Sequence, residues 1–248
     1  LTRLGEAMAS FAGNKNLAMR RLKEAVLRLL TSENWASRKS GLKLAQLMMA
    51  QGFGGEIDRT VEEVVKMQLE HSEARVREEA AEMLGEWAKQ LNGEAVWDRF
   101  GEELMSIVED CEERRPVSME EVEEMKKATS LRHDTEGWRS LESSMRAILR
   151  IMQGYNEVAK RDDSTSQKRR QERRMTAYEK MISNGRLFEI VHRLLRHQNR
   201  FVRETTWSVV GAMYEGGLKR MSIMESQEKR KEEGSVSNTV SGPPRDQN

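Results

Sequence analysis

The side chains that could handle protons, metals or nucleophilic attack are four histidines, one cysteine and several paired carboxylates. His71, His133, His192 and His197 include no His-x-x-x-His or His-Glu-x-x-His spacing. His192 and His197 lie five residues apart, on different faces of a helix, so surface or capping roles are expected and no metal site. Cys111 sits among Glu109, Asp110, Glu112 and Glu113, whose charge disfavours a thiolate. Glu112-Glu113, Glu120-Glu121 and Glu123-Glu124 lack the apolar surroundings that split a carboxylate pair into an acid and a base. They form an acidic segment suited to docking a basic partner. Gly52-Phe53-Gly54-Gly55 has no Gly-Lys-Ser/Thr after it and reads as a helix-breaking turn, not a phosphate cradle. The expectation is a chain without catalytic residues, cofactor or metal.

What remains is the chemistry of contact. Of the five tryptophans, Trp87 and Trp207 fall inside helical patterns and are expected in the core. Trp35 and Trp138 stand near helix starts, where a half-exposed ring either staples neighbouring helices or anchors a partner. Lys160, Arg161, Lys168, Arg169, Arg170, Arg173 and Arg174 form a basic cluster flanked only by Tyr155 and Tyr178, too few rings for base stacking. The cluster suits nuclear import or nucleic-acid contact, or a solvated extension of the following helix. The whole chain is nearly neutral, with 42 basic and 41 acidic residues, so no single field draws it to nucleic acid or to a membrane.

These side chains must be positioned by helices. The chain has 248 residues, only 3 of them proline, and is rich in helix-forming types. Leu22, Val26, Leu29 and Leu30 recur at helical spacing, as do Ile57, Val61, Val64, Val65 and Leu69. Asn34 and Ser72 are candidate N-caps for the helices that follow. Ala177 to Leu195 and Asn199 to Tyr214 read as a last helix pair. Two inserts interrupt the pattern, an acidic one at about 111–137 and a basic one at about 154–175. The repeat domain is expected over 1–224, and 225–248, charged and then Gly/Ser/Pro-rich, reads as a disordered tail. The single cysteine and the absence of an 18-residue apolar run or a signal-peptide pattern fit a soluble cytoplasmic protein with no membrane partner. Nuclear entry through 168–174 is the alternative.

Three stretches resemble one another: Asn34–Ala45, Ala74–Gly85 and Arg200–Gly211. The last two share Val-Arg-Glu and a later glycine, and a fourth helix at Trp138 matches the Trp35 stretch in spacing. The arginines stand at 38, 77 and 203, steps of 77−38=39 and 203−77=126, about three times 42. A period near 40 built from helix pairs marks an α-solenoid. These helices resemble HEAT or armadillo-type repeats, whose second helix often opens on a Val-Arg pair, as at Val76-Arg77 and Val202-Arg203. The resemblance implies an all-α solenoid of about four to five helical hairpins and a protein-binding scaffold using a concave face or loop edge. Trp35, Arg38, Arg77, Trp138 and Arg203 are the candidate partner-binding residues, unless the arginines serve repeat packing. Trp35-Ala36-Ser37-Arg38 also resembles the first-repeat loop of TOG domains, HEAT arrays in which a loop Trp and an Arg three residues later contact tubulin. That likeness implies tubulin as an alternative partner. A third alternative is nucleic-acid binding through the basic insert 160–174.

Overall fold

The computed structural model describes residues 15–48, 59–90, 95–113, 133–157 and 165–237. Among these residues nine α-helices are present: α1 Lys15–Leu30, α2 Trp35–Met48, α3 Arg59–Leu69, α4 Ala74–Lys89, α5 Val96–Glu113, α6 His133–Asn156, α7 Thr165–Ile182, α8 Gly185–Leu194 and α9 Arg200–Ser237. They pair as four hairpins, α1/α2, α3/α4, α5/α6 and α8/α9, with α7 as an additional helix. The second helices pack in the row α2–α4–α6–α9, and the first helices in the row α1–α3–α5–α8. Two parallel rows joined by successive hairpins make this fold an α-solenoid, in which each hairpin buries its apolar face only against its neighbours.

One continuous core runs between the rows. Val26 and Leu30 of α1 meet Leu42 of α2, and the line continues through Val65, Leu84, Phe100, Met145 and Ile190. Each such side chain stabilises the array by roughly 1.5–3 kcal/mol of burial. Trp87 meets Phe100 edge-on, with ring centroids 5.6 Å apart, which locks α4 to α5. The hydroxyl of buried Tyr155 in α6 accepts a hydrogen bond from the Trp97 backbone N–H of α5 at 3.0 Å.

Glycines set the closest approaches. Gly85 of α4 and Gly154 of α6 cross where a Cβ on Gly154 would lie 2.5 Å from the Gly85 carbonyl oxygen and 2.7 Å from the Ala88 Cβ. At the α6–α7–α9 junction, the Tyr178 hydroxyl donates to the Ala212 carbonyl at 2.9 Å, in the space left by Gly216. Burial pushes the Tyr178 hydroxyl up to about 12.

Several boundaries differ from the sequence reading. Ala177 to Leu195 is not one helix. Asn184 ends the first and caps the second, its Oδ1 accepting from the Leu187 N–H at 3.0 Å. Ser72 is not the N-cap of α4; Glu73 holds that place without a side-chain cap bond. Asn34 does cap α2, accepting from the Ala36 N–H at 2.9 Å. The helix expected to begin at Trp138 begins at His133, and α5 runs through Cys111 to Glu113. The basic stretch 165–174 is helical, forming the start of α7. The final helix does not stop at Tyr214 but continues past residue 225 to Ser237. Gly52 to Gly55, the carboxylates at 120–124, Lys160, Arg161 and residues 238–248 lie outside the described residues.

Candidate functional site

Three of the four second helices, α2, α4 and α9, share one local construction near their starts. In α4 the Arg77 guanidinium donates back to the carbonyls of His71 (2.6 Å) and Ser72 (3.0 Å), six and five residues earlier. In α9 Arg203 does the same to His197 and Gln198, both at 2.7 Å. In α2 the Arg38 Nε donates to the Ser32 carbonyl at 2.5 Å. The residue that offers the carbonyl at six back also closes its own turn. His71 Nδ1 accepts from the Glu73 N–H and His197 Nδ1 from the Asn199 N–H, both at 3.0 Å, and Ser32 Oγ accepts from the Asn34 N–H at 3.2 Å. Two of these arginines also reach another helix: Arg38 to Gln68 Oε1 of α3 (3.3 Å) and Arg77 to Ser143 Oγ of α6 (3.2 Å). Arg77 is buried, and desolvation pushes its guanidinium below the ordinary value. Closure of the preceding turn therefore accounts for contacts of all three arginines, and packing between repeats for the further contacts of Arg38 and Arg77. In α6 the matching position is Leu141, which is buried in the core.

This construction carries a pH dependence. Burial, with the charges of Arg38 and Arg77, holds His71 below its ordinary value of 6.5, against a smaller opposing pull from Glu73. The unfolded chain takes up this proton first, so stability present above pH 6.5 is lost as the pH falls through the window beneath it. His71→Asn is expected to flatten that part of the slope when the melting temperature is followed against pH.

The Arg77 guanidinium is buried and those of Arg38 and Arg203 turn back onto their own turns, whereas Trp35, Arg75, Arg139 and Phe201, two or three positions before this point in the four helices, are exposed. Trp35 is exposed, and the Arg75 guanidinium of α4 lies 5.0 Å from its ring centroid. Trp138 of α6 stacks on exposed Phe201 of α9 at 5.5 Å and 17°, and Arg139 lies 5.5 Å from the Trp138 ring. The first turns of α2, α4 and α9 and the second turn of α6 thus place an aromatic–cation row along one edge of the solenoid. Trp35 and Trp138 were legible in the sequence. Arg75, Arg139 and Phe201 were not singled out, although each stands two positions before the residue matching the Arg77 position. The signal was alignment of the four helix starts, not any one motif.

Among the described basic side chains of α7, Arg174 lies away from this edge. Arg174 donates to the carbonyls of Lys89 and Gln90 at the end of α4 and of Glu157 after α6, so it ties helix ends together. Arg173 is exposed, and the side chains of Lys168, Arg169 and Arg170 lie outside the described residues. In the row of first helices, Arg186 of α8 pairs with Glu109 (2.6 Å) and Glu102 of α5, and Arg193 pairs with Glu112 at 2.9 Å. The hydrogen bonds from Arg186 hold the Glu109 carboxyl below the ordinary carboxylate range. Among the described residues no cluster of three or more His, Cys, Asp or Glu could hold a metal ion. No described helix is long and apolar enough to cross a membrane.

No family model matches the chain, and no curated protein matches it. Among solved structures, an engineered protein is 15% identical over 77% of this chain and 78% of that one, with a TM-score of 0.34. A designed armadillo repeat protein is 13% identical over 76% of this chain and 98% of that one, with a TM-score of 0.28. At these scores the fold rests on the helix rows themselves, and function on the side chains just described.

Proposed function

We propose that the chain is a protein-binding scaffold whose docking edge is formed by the N-terminal parts of α2, α4, α6 and α9. The observation that supports this reading is the aromatic–cation row of exposed Trp35, Arg75, Arg139 and Phe201 with half-buried Trp138. Aromatic and arginine side chains dominate the energetics of protein interfaces because they bury much area at little entropic cost. Arg38, Arg77 and Arg203 contribute by holding the turns rigid. Rigid anchors lose less freedom on binding.

The TOG-like alternative draws on the exposure of Trp35, which would meet tubulin from this edge; the Arg38 guanidinium, by contrast, is engaged with Ser32 and Gln68. Nucleic-acid binding would have to use the basic residues of α7, of which Arg173 is exposed. One experiment separates the three. Wild type and Trp35→Ala/Phe201→Ala are compared in affinity capture at two salt concentrations, with purified tubulin and a labelled RNA assayed in parallel. The scaffold reading expects loss of a specific protein partner, an edge-anchor effect of about 2 kcal/mol or more in affinity. An unchanged partner set sinks it. Tubulin binding abolished by the variant selects the TOG-like reading. RNA binding that survives the variant and falls steeply with salt selects the nucleic-acid reading.

A further inference from the structure

The last second helix presents a face that its predecessor buries. Aligning Arg203 with Arg77 places Trp207, Gly211 and Tyr214 at the positions of Ala81, Gly85 and Ala88. In α4 those three residues are buried, and Gly85 and Ala88 lie directly against Gly154 and its neighbours in α6. In α9 no described residue covers them: Trp207 is 59% exposed and Tyr214 69%, and no described atom lies within 4 Å of a Cβ built on Gly211. This overturns the sequence reading of Trp207 as a core residue. The face continues along the same helix through exposed Leu218 and Met221. Trp207, Tyr214 and Met221 recur every seven residues, with Gly211 and Leu218 four after the first two, which is the seam of a two-helix coiled coil. The exposed parts of these side chains sum to on the order of 500 Å², at the upper end of what a monomer leaves uncovered. With flanking polar groups this approaches the roughly 800 Å² per partner of a standard interface.

We propose that this face docks a second copy of the chain, α9 against α9, antiparallel about a two-fold axis near Tyr214. Shape and charge both select that occupant. With the axis at Tyr214, antiparallel pairing sets Trp207 opposite Met221 of the other copy and Gly211 opposite Gly217, both glycines with open space where a Cβ would stand. The seam carries half-exposed Arg203, whose Nη1 also holds its own turn, at its N-terminal end and exposed Glu225 at its C-terminal end. Antiparallel pairing brings each onto its opposite, whereas parallel pairing sets like against like. An isologous contact of this kind closes on itself and stops at a dimer.

The test is sedimentation velocity on the full chain across the micromolar range, with circular dichroism as the fold check. Wild type is expected to pass from monomer to dimer. Trp207→Glu, at an exposed position, is expected to keep its helix signal and weaken dimerisation by about tenfold or more. In a Cys111→Ser background, Tyr214→Cys is expected to form a disulfide-linked dimer and Met221→Cys is not. A wild type that stays monomeric throughout, a dimer indifferent to Trp207→Glu, or cross-linking at both 214 and 221 would each overturn the proposal; in the first case the face serves a different protein.

Discussion

Arg77→Ala is expected to lower the stability of the array by about 2–4 kcal/mol, more than loss of an ordinary surface arginine could explain. Arg77 is 4% exposed and donates to two backbone carbonyls and to Ser143 Oγ on the next second helix. Alanine leaves those acceptors without a donor and opens a cavity between α4 and α6. Arg77→Lys is expected to recover only part of the loss. One ammonium cannot reproduce a fork that bonds a turn on one side and a neighbouring helix on the other. Urea denaturation followed by circular dichroism measures both variants. A cost under about 0.5 kcal/mol for Arg77→Ala would place the residue among neutral surface positions and refute its structural role.

Gly154→Ala carries the second large effect, about 2–3 kcal/mol, from the opposite cause, which is overpacking. The added carbon would meet the Gly85 carbonyl and the Ala88 Cβ, both rigidly part of α4. Neither can swing aside as a long side chain would, so the helices must separate. Gly211→Ala provides the contrast, because nothing lies within 4 Å there. Alanine gains up to about 1 kcal/mol of helix propensity over glycine at such a site. The same substitution at two glycines of the same helix row is therefore expected to shift the melting temperature in opposite directions. For a chain of this size each kcal/mol corresponds to roughly 2–4 °C. Equal shifts of one sign would refute the close crossing of α4 and α6.

The repeat and its helix pairs were legible because a hairpin's apolar spacing is local and is written again about every 40 residues. Val76-Arg77 and Val202-Arg203 gave the start of the second helix directly. The roles of those arginines were not legible, because a guanidinium at a helix start looks the same whether it turns outward to a partner or back to its own turn. What distinguishes the two is the residue six before it, His71 or His197, whose ring closes the turn that the arginine then holds. The exposure of Trp207 was hidden for a different reason. Trp87 and Trp207 both lie on apolar faces, but Trp87 faces α5, whereas Trp207 lies where the row ends. Which end of a stack a residue occupies is a property of the array, not of its local sequence. The break at Asn184-Gly185 was readable as a capping asparagine before a glycine, but the apolar periodicity on both sides masked it.

The two rows are joined by unlike forces. At α4 and α6 the row of second helices is in backbone contact through Gly85 and Gly154, a junction that cannot be compressed. In the row of first helices, α5 and α8 are tied at their surfaces by Arg186 and Arg193 to Glu102, Glu109 and Glu112, pairs that dissolved ions screen. A hard pivot in one row and ion-sensitive ties in the other make the tilt between neighbouring hairpins responsive to ionic strength, with salt loosening the first helices while the second helices keep their spacing.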